Sequence, residues 1–226
     1  GQIHALLAST FGFLMPYAAK LNATGDRQGL ERAYERYTLL ISCLAVCATG
    51  PAMAVAEPIL KLWLGDGFSY SIVMVLQVVA IRFAVFPLSI VNSNFMLSTG
   101  HVKSLSVITA ANAVAALTAV GILASHFGLF GAALGQLSVV FGIAITRAVI
   151  EKTLFGKIDP IRVALPPMTA SLSMLLILHL VTSVGATTLQ DYLLVFTGAL
   201  LISGATSGLM YLWLRARHQG PVAAPA

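Results

Sequence analysis

Of 226 residues, 58% are hydrophobic and 9% charged, with a mean hydropathy of +0.90 and a formal net charge of +5. A water-soluble domain carries about 25% charged residues, and eight acids with thirteen bases cannot coat a globule of this size. Continuous apolar runs of about 20 residues, the length at which a helix crosses about 30 Å of hydrocarbon, exclude the alternating pattern of a β-barrel.

These observations predict an all-α integral membrane protein with about seven transmembrane helices. The apolar segments fall at roughly 3–19, 38–62, 71–97, 104–125, 129–150, 163–184 and 192–214. Together they form a bundle over 1–214, followed by a disordered cytoplasmic tail at 215–226. Gly1-Gln2-Ile3-His4 leads straight into the first run without a basic stretch or a small-residue cleavage site, which points to a start inside a larger protein rather than a signal peptide.

After the first run comes the one polar helix, a connector within 20–37. Leu30, Ala33, Tyr34 and Tyr37 form an apolar stripe at i, i+3, i+4 and i+7. Asp26 after Gly25 supplies an N-cap, and Arg27 with Glu31 an i, i+4 pair. The connector is expected to lie along the cytoplasmic interface. The second run holds Cys43 and Cys47, the only cysteines, read as packing residues rather than a disulfide or metal site. It also holds Pro51, and the third run holds Pro87. Each proline removes a helix hydrogen bond and bends its span, so both are candidate hinges. Between 125 and 131, Phe127-Gly128-Leu129-Phe130-Gly131 reverses the chain. Gly131 with Gly135, and Gly204 with Gly208, are small-xxx-small pairs that permit close helix approach.

Charge orients the bundle. Lys20, Arg27, Arg32 and Arg36 lie in one linker, Lys103 in another, and Arg147, Lys152, Lys157 and Arg162 around a third, with Arg215 and Arg217 in the tail. The opposite loops hold no Lys or Arg, and Lys61 is the only base near them. The positive-inside rule then makes the basic side and the C-terminus cytoplasmic. The basic balance is a topology signal and implies no nucleic-acid partner.

Arg82 stands eleven residues into the third run, near mid-bilayer at about 1.5 Å per residue. An arginine there costs at least about 2.5–3.5 kcal/mol and is expected to face a cavity or a partner. Its guanidinium fork suits phosphate oxygens. Asn92 and Asn94 follow in the same run and, with Arg82, extend a candidate polar stripe; interhelical hydrogen bonding is the competing role. Lys61 pairs with Glu57 at i, i+4 as a candidate rim or gate feature. Asn112 and His179 read as isolated packing residues. The acids Glu57, Asp66, Glu151, Asp159 and Asp191 lie near run ends. No phosphate-binding loop, Ser/His/Asp grouping or metal-ligand cluster is present, so neither an enzyme nor a cofactor or metal site is expected.

Four stretches in order carry a family likeness: LNATGDRQGLERAYERY (21–37) after Pro16, PILKLWLGDGFSYS (58–71), NSNFMLSTGHVKS (92–104) and FGLFGAALG (127–135). Over about residues 8 to 140 the chain resembles the C-terminal half of MOP-superfamily polysaccharide exporters, the lipid-linked oligosaccharide flippases of bacterial O-antigen and exopolysaccharide pathways. The resemblance implies the second helical bundle of a MATE-like fold in a transporter of 12–14 spans. It further implies an N-terminal bundle as partner, membrane lipids around it, and an undecaprenyl-diphosphate oligosaccharide as substrate at the bacterial inner membrane. Arg82 fits the family's cationic cavity. Two other functions stand beside this one. A multidrug cation exporter of the same superfamily would want acids within its spans. A membrane-embedded polysaccharide polymerase or glycosyltransferase would want a larger external loop.

Overall fold

The computed structural model describes residues 5, 8–156, 160–184 and 189–218. The first residues of the 3–19 run, Lys157, Asp159 and the end of the tail from 219 onward lie outside them. Among the described residues every regular element is helical. In chain order the α-helices are α1 (Leu14–Ala23), α2 (Arg27–Ala54), α3 (Ala56–Leu64), α4 (Tyr70–Val85), α5 (Leu88–Ser98), α6 (Val102–Gly135), α7 (Val139–Leu154), α8 (Pro160–Val184) and α9 (Leu189–His218). Five helical stretches among the described residues are long and apolar enough to cross a membrane: Arg27–Ala54, Tyr70–Ser98, Val102–Leu154, Ala164–Val184 and Gln190–Leu212.

The polar stretch 26–37 is not a separate connector. It forms the first turns of α2 and runs unbroken into the apolar segment. The Asp26 carboxylate caps the helix by accepting the Gly29 backbone N–H at 2.8 Å. The predicted stripe is the reason for continuity: Leu30, Ala33 and Tyr34 are buried, and Tyr37 packs edge-on against Phe13 and Tyr17. A helix that buries this face cannot lie apart on a membrane surface.

Both predicted bends mark breaks. Pro51 sits inside α2, which ends three residues later. At Val55 the backbone leaves helical geometry, and α3 sets off as a short separate helix. Pro87 divides α4 from α5, because its ring removes the N–H that would continue the ladder. The 53-residue stretch Val102–Leu154 is far longer than one crossing needs. It folds back at Gly128, whose φ of 58° and ψ of −139° only glycine adopts without strain. Close approaches then pair 131 with 123, 135 with 120 and 142 with 112. Numbers rise on one leg as they fall on the other, so the legs are antiparallel.

α2 is the axle of the bundle and packs against α1, α4, α5, α8 and α9. Small residues draw α8 and α9 onto it. A Cβ on Gly50 would meet Ile177 and the Ser203 hydroxyl, and Thr49 donates to the Met174 sulfur at 3.7 Å. Ser173 donates to Thr206 at 2.7 Å across the α8–α9 contact. Such approaches suit a medium in which packing and interhelical hydrogen bonds replace the hydrophobic effect. The first leg of α6 faces outward, with Val107, Val114 and Leu117 exposed, as lipid allows and water would penalise. Cys43 and Cys47 are free and half-buried.

Candidate functional site

Arg82 belongs to α4, one turn before the break at Pro87 and near the middle of Tyr70–Ser98. Its guanidinium carbon lies 5.2 Å from the Phe83 ring centroid and 4.8 Å from that of Phe86. These are cation–π distances. Among the described residues it makes no ion pair or side-chain hydrogen bond. The rings thus orient the guanidinium while leaving its N–H fork uncommitted.

Phe86 forms part of the wall of a cavity of about 190 Å³ between α5, α6 and α7. Its polar lining is Ser89, Asn92, Ser93, Thr109, Asn112 and Thr146. The Asn112 amide lies directly over Gly142, where no side chain would fit. Asn92 lines this cavity and Arg82 does not; Arg82 reaches only the Phe86 ring that forms part of its wall, so the two do not form one continuous stripe. The break at Pro87 is the reason the ten-residue spacing does not behave as one straight helix.

Asn92 has a second role. It is 1% exposed, accepts a hydrogen bond from the Tyr34 hydroxyl at 2.8 Å and donates to the Ile143 carbonyl at 3.4 Å. It ties α2, α5 and α7 together. Asn94 stands two positions on, about 200° round the helix, and donates back to the Ile90 carbonyl at 2.9 Å. It does not line the cavity. Lys61 lies on α3, beyond the end of α2, in a different groove. Its ammonium is 2.7 Å from Glu57 Oε1. That hydrogen bond and the carboxylate charge hold Lys61 above the ordinary lysine value, so it stays cationic at neutral pH. Pro51 and Pro87 are buried at the helix breaks. His179 is exposed.

The second arginine of the bundle is more deeply placed than its sequence position suggested. Arg147, 2% exposed, donates from Nη1 to Thr38 Oγ1 at 3.3 Å and lies 5.1 Å over the Tyr34 ring. Glu151 follows one turn later at 1% exposure, and Glu35 beside Tyr34 is 8% exposed. Glu151 and Glu35 are therefore buried where α2 and α7 meet, whereas Asp66 is exposed. Tyr34 is the hub. It contacts Phe95 edge-on at 5.1 Å, Phe155 at 5.9 Å, Arg147 through its face and Asn92 through its hydroxyl. The sequence signal was available: Arg147 and Glu151 share an i, i+4 face at the inner end of an apolar run, and Tyr34 lies on the α2 stripe.

The arrangement combines a fixed arginine with free donors, an uncharged hydroxyl- and amide-lined cavity beside it, and a buried charged cluster beneath Tyr34. Nothing in it resembles a nucleophile with a base. Among the described residues no group of three or more His, Cys, Asp or Glu is placed to hold a metal ion. No protein-family model, curated protein or solved structure matches this chain.

Proposed function

We propose that this chain is one helical bundle of a transporter that moves a lipid-linked, undecaprenyl-diphosphate oligosaccharide across the bacterial inner membrane by alternating access, for cell-surface polysaccharide synthesis. In this reading it is the second bundle of a MATE-like fold. The two legs of the α6–α7 hairpin count as separate crossings, and the N-terminal helix completes seven. The C-terminus is cytoplasmic, and an N-terminal bundle closes the cavity. The work is binding and conformational exchange, without covalent chemistry or a cofactor.

The observation that carries the reading is Arg82. It is held by two phenyl faces near the middle of an apolar stretch, with no described acid to neutralise it. Such a cation is costly unless an anion visits it, and a diphosphate presents oxygens that match the guanidinium fork. The neutral hydroxyl and amide lining next to it suits sugar hydroxyls. Asn92 belongs to that lining, and Pro51 and Pro87 give the spans places to flex. In the full-length transporter, Arg82→Ala abolishes polysaccharide export and Arg82→Lys retains part of it. Wild-type export by Arg82→Ala removes Arg82 from the site.

Buried Glu35 and Glu151 favour a second reading, a cation exporter, because such a carrier needs acids within its bundle. Arg147 beside them weakens it by supplying an internal counter-charge. Efflux of a cationic dye that is lost in Glu151→Gln, with no effect of Arg82→Ala, would reverse the order of the two.

A further inference from the structure

A second, larger recess lies at the membrane face opposite the basic linkers. It has a volume of about 760 Å³ and is walled by α3, the start of α4, the end of α8 and the start of α9. Its polar groups are Glu57, Lys61, Tyr70, Thr182 and Tyr192, set among aliphatic side chains such as Leu62 and Val195. Lys61 and Glu57 form the bundle's open ion pair, with side chains 53% and 28% exposed. Among the described residues the Tyr70 and Tyr192 hydroxyls make no hydrogen bond, which leaves them able to donate to a ligand.

Helix α3 fixes the level of the recess. Ile59, Leu62 and Trp63 are exposed on its outer side, Leu62 at 90% and Trp63 at 80%, while Leu60 is buried against the bundle. A nine-residue helix with a bare Trp and Leu beside an ion pair is an interfacial helix, its apolar side in acyl chains and its polar side at headgroup depth. Tryptophan concentrates at that level. The recess therefore opens where phospholipid headgroups are.

The pair also selects among headgroups. Lys61 and Glu57 are one helical turn apart, with Cβ atoms about 5–6 Å from each other. A purely anionic headgroup gains Lys61 but meets Glu57 as a like charge. A headgroup carrying both a phosphate and a primary ammonium replaces one internal ion pair with two, and the ammonium N–H groups can reach the carboxylate. We propose that this recess binds a zwitterionic aminophospholipid, its phosphate on Lys61 with the tyrosine hydroxyls and its ammonium on Glu57. The glycerol and first methylenes lie along Leu62 and Val195. The site is independent of Arg82 and of the transport reading.

The test is native mass spectrometry of the chain released from nanodiscs holding equal amounts of phosphatidylethanolamine, phosphatidylcholine and phosphatidylglycerol. Phosphatidylethanolamine is expected to be retained about tenfold over both others, since one charge-assisted hydrogen bond of about 1.4 kcal/mol or more separates them. Phosphatidylcholine is the sharpest control, because it keeps the charge but lacks the N–H donors, and this arm needs only the wild-type protein. Equal retention of the three lipids overturns the proposal. Glu57→Gln should shift retention to phosphatidylglycerol, and Lys61→Gln should weaken retention of phosphatidylethanolamine by loss of the phosphate contact; a preference unchanged by both substitutions also overturns it. Soluble phosphoethanolamine at millimolar concentration should leave the lipid bound. Displacement by it would assign the recess to a soluble phosphorylated amine instead of a lipid.

Discussion

Gly135 stands at one of the close approaches between the two legs of the α6–α7 hairpin, and its replacement by alanine tests that geometry directly. A Cβ at Gly135 would lie 2.6 Å from both the Cα and the N of Val120, where ordinary contact is 3.4–4 Å. Both obstacles are backbone, so no rotamer change relieves them. The legs must part by about 1 Å along this contact. Overpacking of this kind costs about 1–3 kcal/mol, offset by up to about 1 kcal/mol of helix propensity gained on replacing glycine. The net expectation is a loss of about 1–2 kcal/mol. Gly208 is the control, because nothing lies within 4 Å of a Cβ there. Gly208→Ala keeps only the propensity gain and should be neutral or stabilising by up to about 1 kcal/mol. The assay is reversible unfolding in mixed micelles titrated with dodecyl sulfate, followed by circular dichroism. If the two variants shift the midpoint in the same direction by the same amount, the close antiparallel approach is wrong.

Other expectations follow from the Tyr34 hub and the helix breaks. A double-mutant cycle of Tyr34→Phe and Asn92→Ala should yield a coupling of about 1 kcal/mol, the upper part of the range for hydrogen bonds between membrane helices, because both groups are fully buried and 2.8 Å apart; additive effects in the same unfolding assay would deny that bond. Arg147→Met should cost about 3 kcal/mol, since it removes the cation buried one turn from Glu151 and leaves acid behind. Adding Glu151→Gln should restore part of that loss, and no recovery would place the two in separate environments. Pro87→Ala restores a backbone donor at the α4–α5 break. It should keep the fold and, under the proposed transport reading, slow export, whereas an unchanged export rate would make the break purely architectural.

Much of the helical organisation was legible because it rests on local properties. Five helical stretches long enough to span hydrocarbon, the Asp26 cap, the Gly128 reversal and the breaks at the two prolines all act through residues near in sequence. The 3–19 run, by contrast, is not among the five stretches. The connector was misread for an identifiable reason. Composition reports Asp26 to Tyr37 as polar, but whether its apolar stripe meets lipid or another helix depends on α1 and α5, which pack there. The site was half legible. Arg82 stood out because a charge amid twenty apolar residues is conspicuous, while Arg147, Glu151 and Glu35 were hidden among linker charges that look solvated.

The two glycine pairs divide local from tertiary information. Gly131 with Gly135 and Gly204 with Gly208 have the same spacing and the same capacity for close approach. Only the first pair faces another backbone; the second has open space beside it. Sequence by itself determined that the chain is helical and apolar enough to cross a membrane, because backbone satisfaction and hydrocarbon thickness act on each segment alone. Tertiary structure decided which small residues touch, which charges are buried and which arginine keeps its donors free, because those properties belong to pairs of helices and not to either one.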